Sequence, residues 1–144
     1  MLIRLQEGQI AEYWPEIKVA INMALPPILK GEGDRTNKIL ESMLVGNAQC
    51  WVSVNRDSKK MDGVITTAVV EDMLSGAKSL MLYTIYVDGV SMASSWKEGF
   101  ETLSKFAKSQ GCNRLVGFTK ERRILERAKL FGIDTSFTLC VVEV

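Results

Sequence analysis

Between Val87 and Trp96 the chain reads Asp88-Gly89-Val90-Ser91-Met92-Ala93-Ser94-Ser95, a run of mostly small residues leading into an amphipathic stretch. A helix N-terminus offers unpaired N–H groups and a partial positive charge, which suit phosphate. Small side chains let an anion approach the backbone. Ser91, Met92, Ala93, Ser94 and Ser95 are therefore candidate anion-binding residues. The plainer account is that any strand-to-helix turn needs Gly, Ser and a cap. Tyr83 and Tyr86, just upstream on an apolar run, carry phenols that could orient a substrate or water, or give up a proton. They would serve equally well as core aromatics. Glu71 and Asp72 follow another apolar run and are candidates for a base that takes a proton from an amine, although a solvated strand end accounts for them too. The basic run Lys120, Arg122, Arg123, Arg127 and Lys129 could meet phosphates, but Glu121 and Glu126 interrupt it, as on an ordinary solvated helix face.

Composition removes several chemistries. Histidine is absent, which excludes His-based triads and His-ligated metals, and no metal site is expected. Eighteen Lys and Arg against seventeen Asp and Glu give a net charge of +1, so neither nucleic acid nor a membrane surface is an expected partner. No run approaches the roughly 18 apolar residues of a membrane span. The first five residues turn polar too quickly for a secretory signal. Cys50, Cys112 and Cys140 form no close pair and read as reduced, buried small hydrophobes of a cytoplasmic protein. Trp14, Trp51 and Trp96 sit on apolar stripes and read as core.

The elements that must position these groups follow from periodicity. Residues 2–5 read as a strand. Ile10, Trp14, Ile17 and Ile21 recur at helical spacing over about 9–24, with Pro15 either kinking that helix or starting a second piece. A second helix is expected over about 35–46. Residues 49–55 and 63–70 form a hairpin. Residues 79–87 are apolar on both faces, the mark of a central strand; alternation puts Leu80, Leu82 and Tyr86 on one face and Met81, Tyr83, Ile85 and Val87 on the other. Ser95 and Glu98 have capping-box spacing ahead of a stripe of Trp96, Phe100, Leu103 and Ala107, which Gly111 ends. A short strand at 115–118, a helix marked by Ile124, Leu125, Ala128 and Phe131, and a last strand at 137–144 complete the chain. The expectation is one α/β (α+β) domain over residues 1–144 with the order β-α-α-β-β-β-α-β-α-β. Its strand–helix–strand unit at 79–118 makes the flanking strands parallel.

That order resembles the GCN5-related acyltransferase (GNAT) superfamily over nearly the whole chain. Ile85-Tyr86-Val87-Asp88 resembles the end of the family's fourth strand, Phe106-Ala107-Lys108-Ser109-Gln110-Gly111-Cys112 the end of its third helix, and Ala128-Lys129-Leu130-Phe131-Gly132-Ile133 the run before its last strand. The resemblance implies an acetyl-CoA dependent N-acyltransferase acting on a small-molecule or protein amine. It also implies that the strand carrying Ile85 and Val87 pairs its backbone with the pantetheine arm. Two features depart from the family. Residues 89–95 have no Arg or Gln and one Gly where the family has R/Q-x-x-G-x-G/A, and Ala128 stands near the place of a Tyr that protonates the leaving thiolate. The resemblance thus equally admits a catalytically silent interaction or assembly protein, of the kind found in phages and other mobile elements.

Overall fold

The structure is a computed structural model that describes residues 1–25, 35–89, 93–142 and 144. Its elements are β1 (Leu2–Arg4), α1 (Glu7–Glu12), α2 (Trp14–Met23), α3 (Arg35–Leu44), β2 (Gln49–Val54), β3 (Met61–Glu71), β4 (Lys78–Val87), α4 (Ala93–Ser109), β5 (Arg114–Gly117) and α5 (Arg122–Leu130). The five strands form one sheet in the order β1-β2-β3-β4-β5. Neighbours are antiparallel except β4 and β5, which run parallel across the α4 crossover, as the sequence predicts.

Two apolar layers cover the sheet. On one face Ile10, Ile17, Ala20, Ile21 and Met43 of α1, α2 and α3 pack with Cys50, Val52 and Val64. On the other, Leu103 and Ala107 of α4 pack with Trp51 and Leu80. Phe106 meets Trp51 edge-on, with ring centroids 5.2 Å apart, and the Arg4 guanidinium lies 5.0 Å from the centre of the Phe106 ring. The sheet also buries polar side chains that bond one another across strands. The Trp51 indole donates to the Thr67 hydroxyl at 2.9 Å, and that hydroxyl donates to the Gln49 side-chain oxygen at 2.9 Å. Thr66 and Thr84 bond across β3 and β4 at 2.7 Å.

The architecture agrees with the sequence reading, and three details differ. Of the two roles left open for Pro15, the structure shows the start of a second piece: it lies in the first turn of α2, where its missing N–H costs nothing, and α1 and α2 join at Tyr13. α4 begins at Ala93, so Ser95 lies within its first turn rather than capping it, and the Glu98 carboxylate instead accepts from Arg56 at 3.0 Å. The stripe of α4 is also rotated. Leu103 and Ala107 are buried and Phe106 packs beside them, whereas Phe100 sits at the edge, 41% exposed. Finally, the described residues after α5 contain no strand. Phe137, Val141 and Val142 are exposed, as is Cys140, which removes it from the set of buried cysteines. Strand preference expresses pairing and packing on a sheet, and among the described residues no strand lies beside 137–142 to supply either.

Among the described residues no helix is long and apolar enough to cross a membrane, and no cluster of His, Cys, Asp and Glu could hold a metal ion.

Candidate functional site

β4 changes character at Tyr83. Thr66 of β3 pairs with Thr84, but the next residue, Thr67, pairs with Leu82, so Tyr83 is an extra residue bulged out of β4. A bulge reverses the alternation of faces beyond it. Leu80 and Leu82 pack on the α4 side, whereas Tyr86 packs with the helices of the opposite face. Ile85 is cross-strand from Ile65, itself on the α4 side. The uninterrupted alternation expected from sequence, which placed Tyr86 with Leu80 and Leu82, is thereby corrected.

The same point ends the pairing with β5. Only Ser79–Leu82 are in register with β5, from Arg114 to Gly117. Among the described residues no strand lies beside the β5-facing edge of β4 from Tyr83 onward, and a cleft of about 540 Å³ opens there, within the roughly 300–1,000 Å³ of small-molecule sites. Ile85, Tyr86, Val87, Asp88 and Gly89 form one wall. Phe118 and Thr119, just past β5, with Lys120, Glu121, Arg123, Ile124 and Arg127 of the α5 region form the other. Trp96 of α4 and residues 23–25 at the C-terminal end of α2 complete it. Gly117 belongs at the mouth for a steric reason: a Cβ there would come 3.3 Å from the Leu82 carbonyl oxygen, where the two strands are still paired. Gly89 adopts φ +69°, a left-handed turn that takes the chain from the end of β4 toward α4. Its carbonyl accepts from the Arg123 guanidinium at 3.3 Å, a bond that spans the cleft.

The candidate residues from sequence are dispersed accordingly. Ile85, Tyr86 and Val87 line the cleft. Tyr83 occupies the bulge at its inner end and is not among the lining residues. Partial burial raises the Tyr83 phenol above its ordinary value, against a smaller opposing pull from Arg35, so at neutral pH it is a neutral donor. Glu71 is cross-strand from Lys78, at the other end of β4 from Val87. Nine strand steps separate those ends, roughly 30 Å at about 3.3 Å per residue, so the geometry does not bring Glu71 to the cleft. Asp72 stands beside it and caps a turn, accepting from the N–H groups of Leu74 and Ser75, which hold its carboxyl below the usual range. Ser91 and Met92 lie outside the described residues, as do the side chains of Ala93 and Ser94; Ser95 is half-buried in the first turn of α4.

Sequence reasoning passed over Asp88 and Glu121, the two carboxylates that do line the cleft, and took Trp96 for core. The available signal was position. Residues just past the carboxyl ends of parallel strands face the crevice of an open α/β sheet, and Asp88 and Phe118–Glu121 are those residues.

No protein-family model matches this sequence, and no curated protein is detectably similar to it. Solved structures do match. A probable acetyltransferase superposes with a TM-score of 0.71 at 12% identity, over 100% of this chain and 97% of its own. An aminoglycoside N-acetyltransferase in complex with CoA gives 0.70 at 10% identity, over 100% and 98%. A ribosomal-protein-alanine N-acetyltransferase from Brucella melitensis biovar Abortus 2308 gives 0.64 at 13% identity, over 100% and 99%. At such identities the likeness is one of fold, and it extends from end to end: this chain has the fold of the GNAT acetyltransferases.

Proposed function

We propose that the chain binds an acyl-coenzyme A in the cleft between β4 and the segment after β5, and transfers the acyl group to a primary amine. The observation that carries this reading is the Tyr83 bulge, beyond which β4 loses β5 and exposes an unpaired backbone edge to a cavity. An extended amide-bearing arm such as pantetheine can complete that edge as a strand would. An N–H of the same edge can donate to the thioester carbonyl oxygen as negative charge develops there. The attacking nitrogen forms the new C–N bond, the C–S bond breaks, and the thiolate takes a proton from water or from the phenol of Tyr86, the tyrosine that lines the cleft. Asp88 and Glu121 line the same cleft and replace Glu71 as the carboxylates positioned to accept the amine's proton.

The second reading is a protein of this fold that binds partners without acyl transfer. It is favoured by Ala128, which stands where the family has a tyrosine, and by the absence of Arg and Gln from residues 89–95. Calorimetric titration with acetyl-CoA, paired with detection of free thiol in the presence of simple primary amines, separates the two. Saturable heat and thiol release that needs the amine are expected. No heat and no melting shift up to millimolar acetyl-CoA would leave only the partner-binding reading.

A further inference from the structure

The basic run that follows β5 divides in the fold. Lys120, Arg123 and Arg127 line the cleft, whereas Arg122 and Lys129 do not. Arg122 points away and bonds Glu126 at 3.1 Å with both side chains largely exposed, so the helix carries its internal ion pair on its outer side. Arg123 and Arg127 are four residues apart on one face of α5. The acidic groups on the lining are Asp88 and Glu121, two against three cations among the described residues. Arg123 is anchored by its bond to the Gly89 carbonyl. A guanidinium has five N–H donors in a planar fork, so this one bond fixes its position and leaves other donors for an anion.

We infer that Lys120, Arg123 and Arg127 form a cationic wall that holds the phosphate groups of the nucleotide end of coenzyme A. The inference rests on the acyl-coenzyme A reading above and adds the source of phosphate affinity. Residues 89–95 contain no cationic side chain, so positive charge must reach the phosphates from elsewhere. The α5 wall faces that end of β4 across the cleft and is joined to it at Gly89. Bidentate guanidinium–phosphate contacts are among the strongest charge-assisted hydrogen bonds.

The test compares coenzyme A with pantetheine, which has the same arm and no phosphate, in titrations of wild type, the double variant Arg123→Glu/Arg127→Glu, and Arg122→Glu. The double variant should bind coenzyme A at least about tenfold more weakly at low salt, and pantetheine as wild type does. Arg122→Glu makes the same type of charge reversal one residue from the wall, and should stay within about twofold of wild type for both ligands. Unchanged coenzyme A affinity in the double variant would overturn the wall, as would an equal loss for pantetheine or an equal loss in Arg122→Glu. Failure of wild type to bind coenzyme A at all would instead overturn the reading on which the wall depends, and the wall with it. Should the double variant melt well below wild type, Arg123→Gln alone carries the same comparison, with a loss of about threefold for coenzyme A and none for pantetheine.

Discussion

Lys78–Leu82 and Tyr83–Val87 are two halves of one strand, similarly apolar, with opposite tasks. The first half is hydrogen-bonded to a neighbour on each side and contributes Leu80, fully buried, to the core under α4. The second half keeps β3 and loses β5, and its residues are half-buried apart from Thr84. A single inserted residue, Tyr83, separates them. The difference shows how one strand can be both scaffold and binding edge. Stability is concentrated where both edges are paired, and the unpaired edge is left for a ligand.

The sharpest break of this comparison is a matched pair of truncations. Leu80→Ala removes a side chain with no solvent exposure and should cost about 2–5 kcal/mol, through lost burial and the cavity left behind. Ile85→Ala removes a similar volume from the half-buried cleft wall and should cost no more than about 1.5 kcal/mol. Urea denaturation of both variants measures the difference. Equal losses would mean that the second half of β4 is as much core as the first.

How much of this was legible in the sequence follows from the same strand. The parallel strand–helix–strand unit was readable, because a central strand apolar on both faces and an amphipathic helix closed by Gly111 are local patterns. The bulge was not. Thr66, Thr67 and Tyr83 look like any alternating residues, and the register shift exists only in the pairing of β3 with β4. The face assignments of Ile85 and Tyr86 were reversed for that reason. Glu71 was plausible while the direction of β3 relative to the cleft was unspecified; the antiparallel register with β4 carries it to the far end. The strand expected at 137–144 rested on composition alone, and composition supplies no neighbour. The cleft-lining cations were visible as a basic run, but only the orientation of α5 sorts Arg123 and Arg127 from Arg122.

The row where the two halves meet gives a second test. Cys50 on β2 is cross-strand from Thr66, which pairs with Thr84 next to the bulge. Burial pushes the Cys50 thiol up from 9.0 to about 12. Below pH 9 the thiol is protonated in both folded and unfolded chains, and its contribution to stability is constant. Between pH 9 and about 12 the unfolded chain releases the proton while the folded chain retains it, so this contribution declines by up to about 1.4 kcal/mol per pH unit. Cys50→Ala lacks that group. The stability gap between wild type and Cys50→Ala should therefore narrow steadily across the window in denaturant titrations. A gap that stays constant from pH 9 to 11 would show that water reaches this row, and that the opening at the bulge extends through the sheet.

The smallest effect is expected at the cleft end itself. Arg56, in the turn between β2 and β3, bonds Glu98 in the early turns of α4 at 3.0 Å and ties the hairpin to the helix near Trp96. The pair is largely solvated, at 70% and 38% side-chain exposure, so Coulomb attraction is screened and offset by the ordering of two long side chains. Arg56→Ala should cost less than about 1 kcal/mol, with an even smaller effect at high salt. A larger loss would mean that α4 is held over the open half of β4 by this tie rather than by Leu103, Phe106 and Ala107 over the closed half. The expected small loss would place the anchorage of α4 in its C-terminal turns, against the part of the sheet where β4 is paired on both edges.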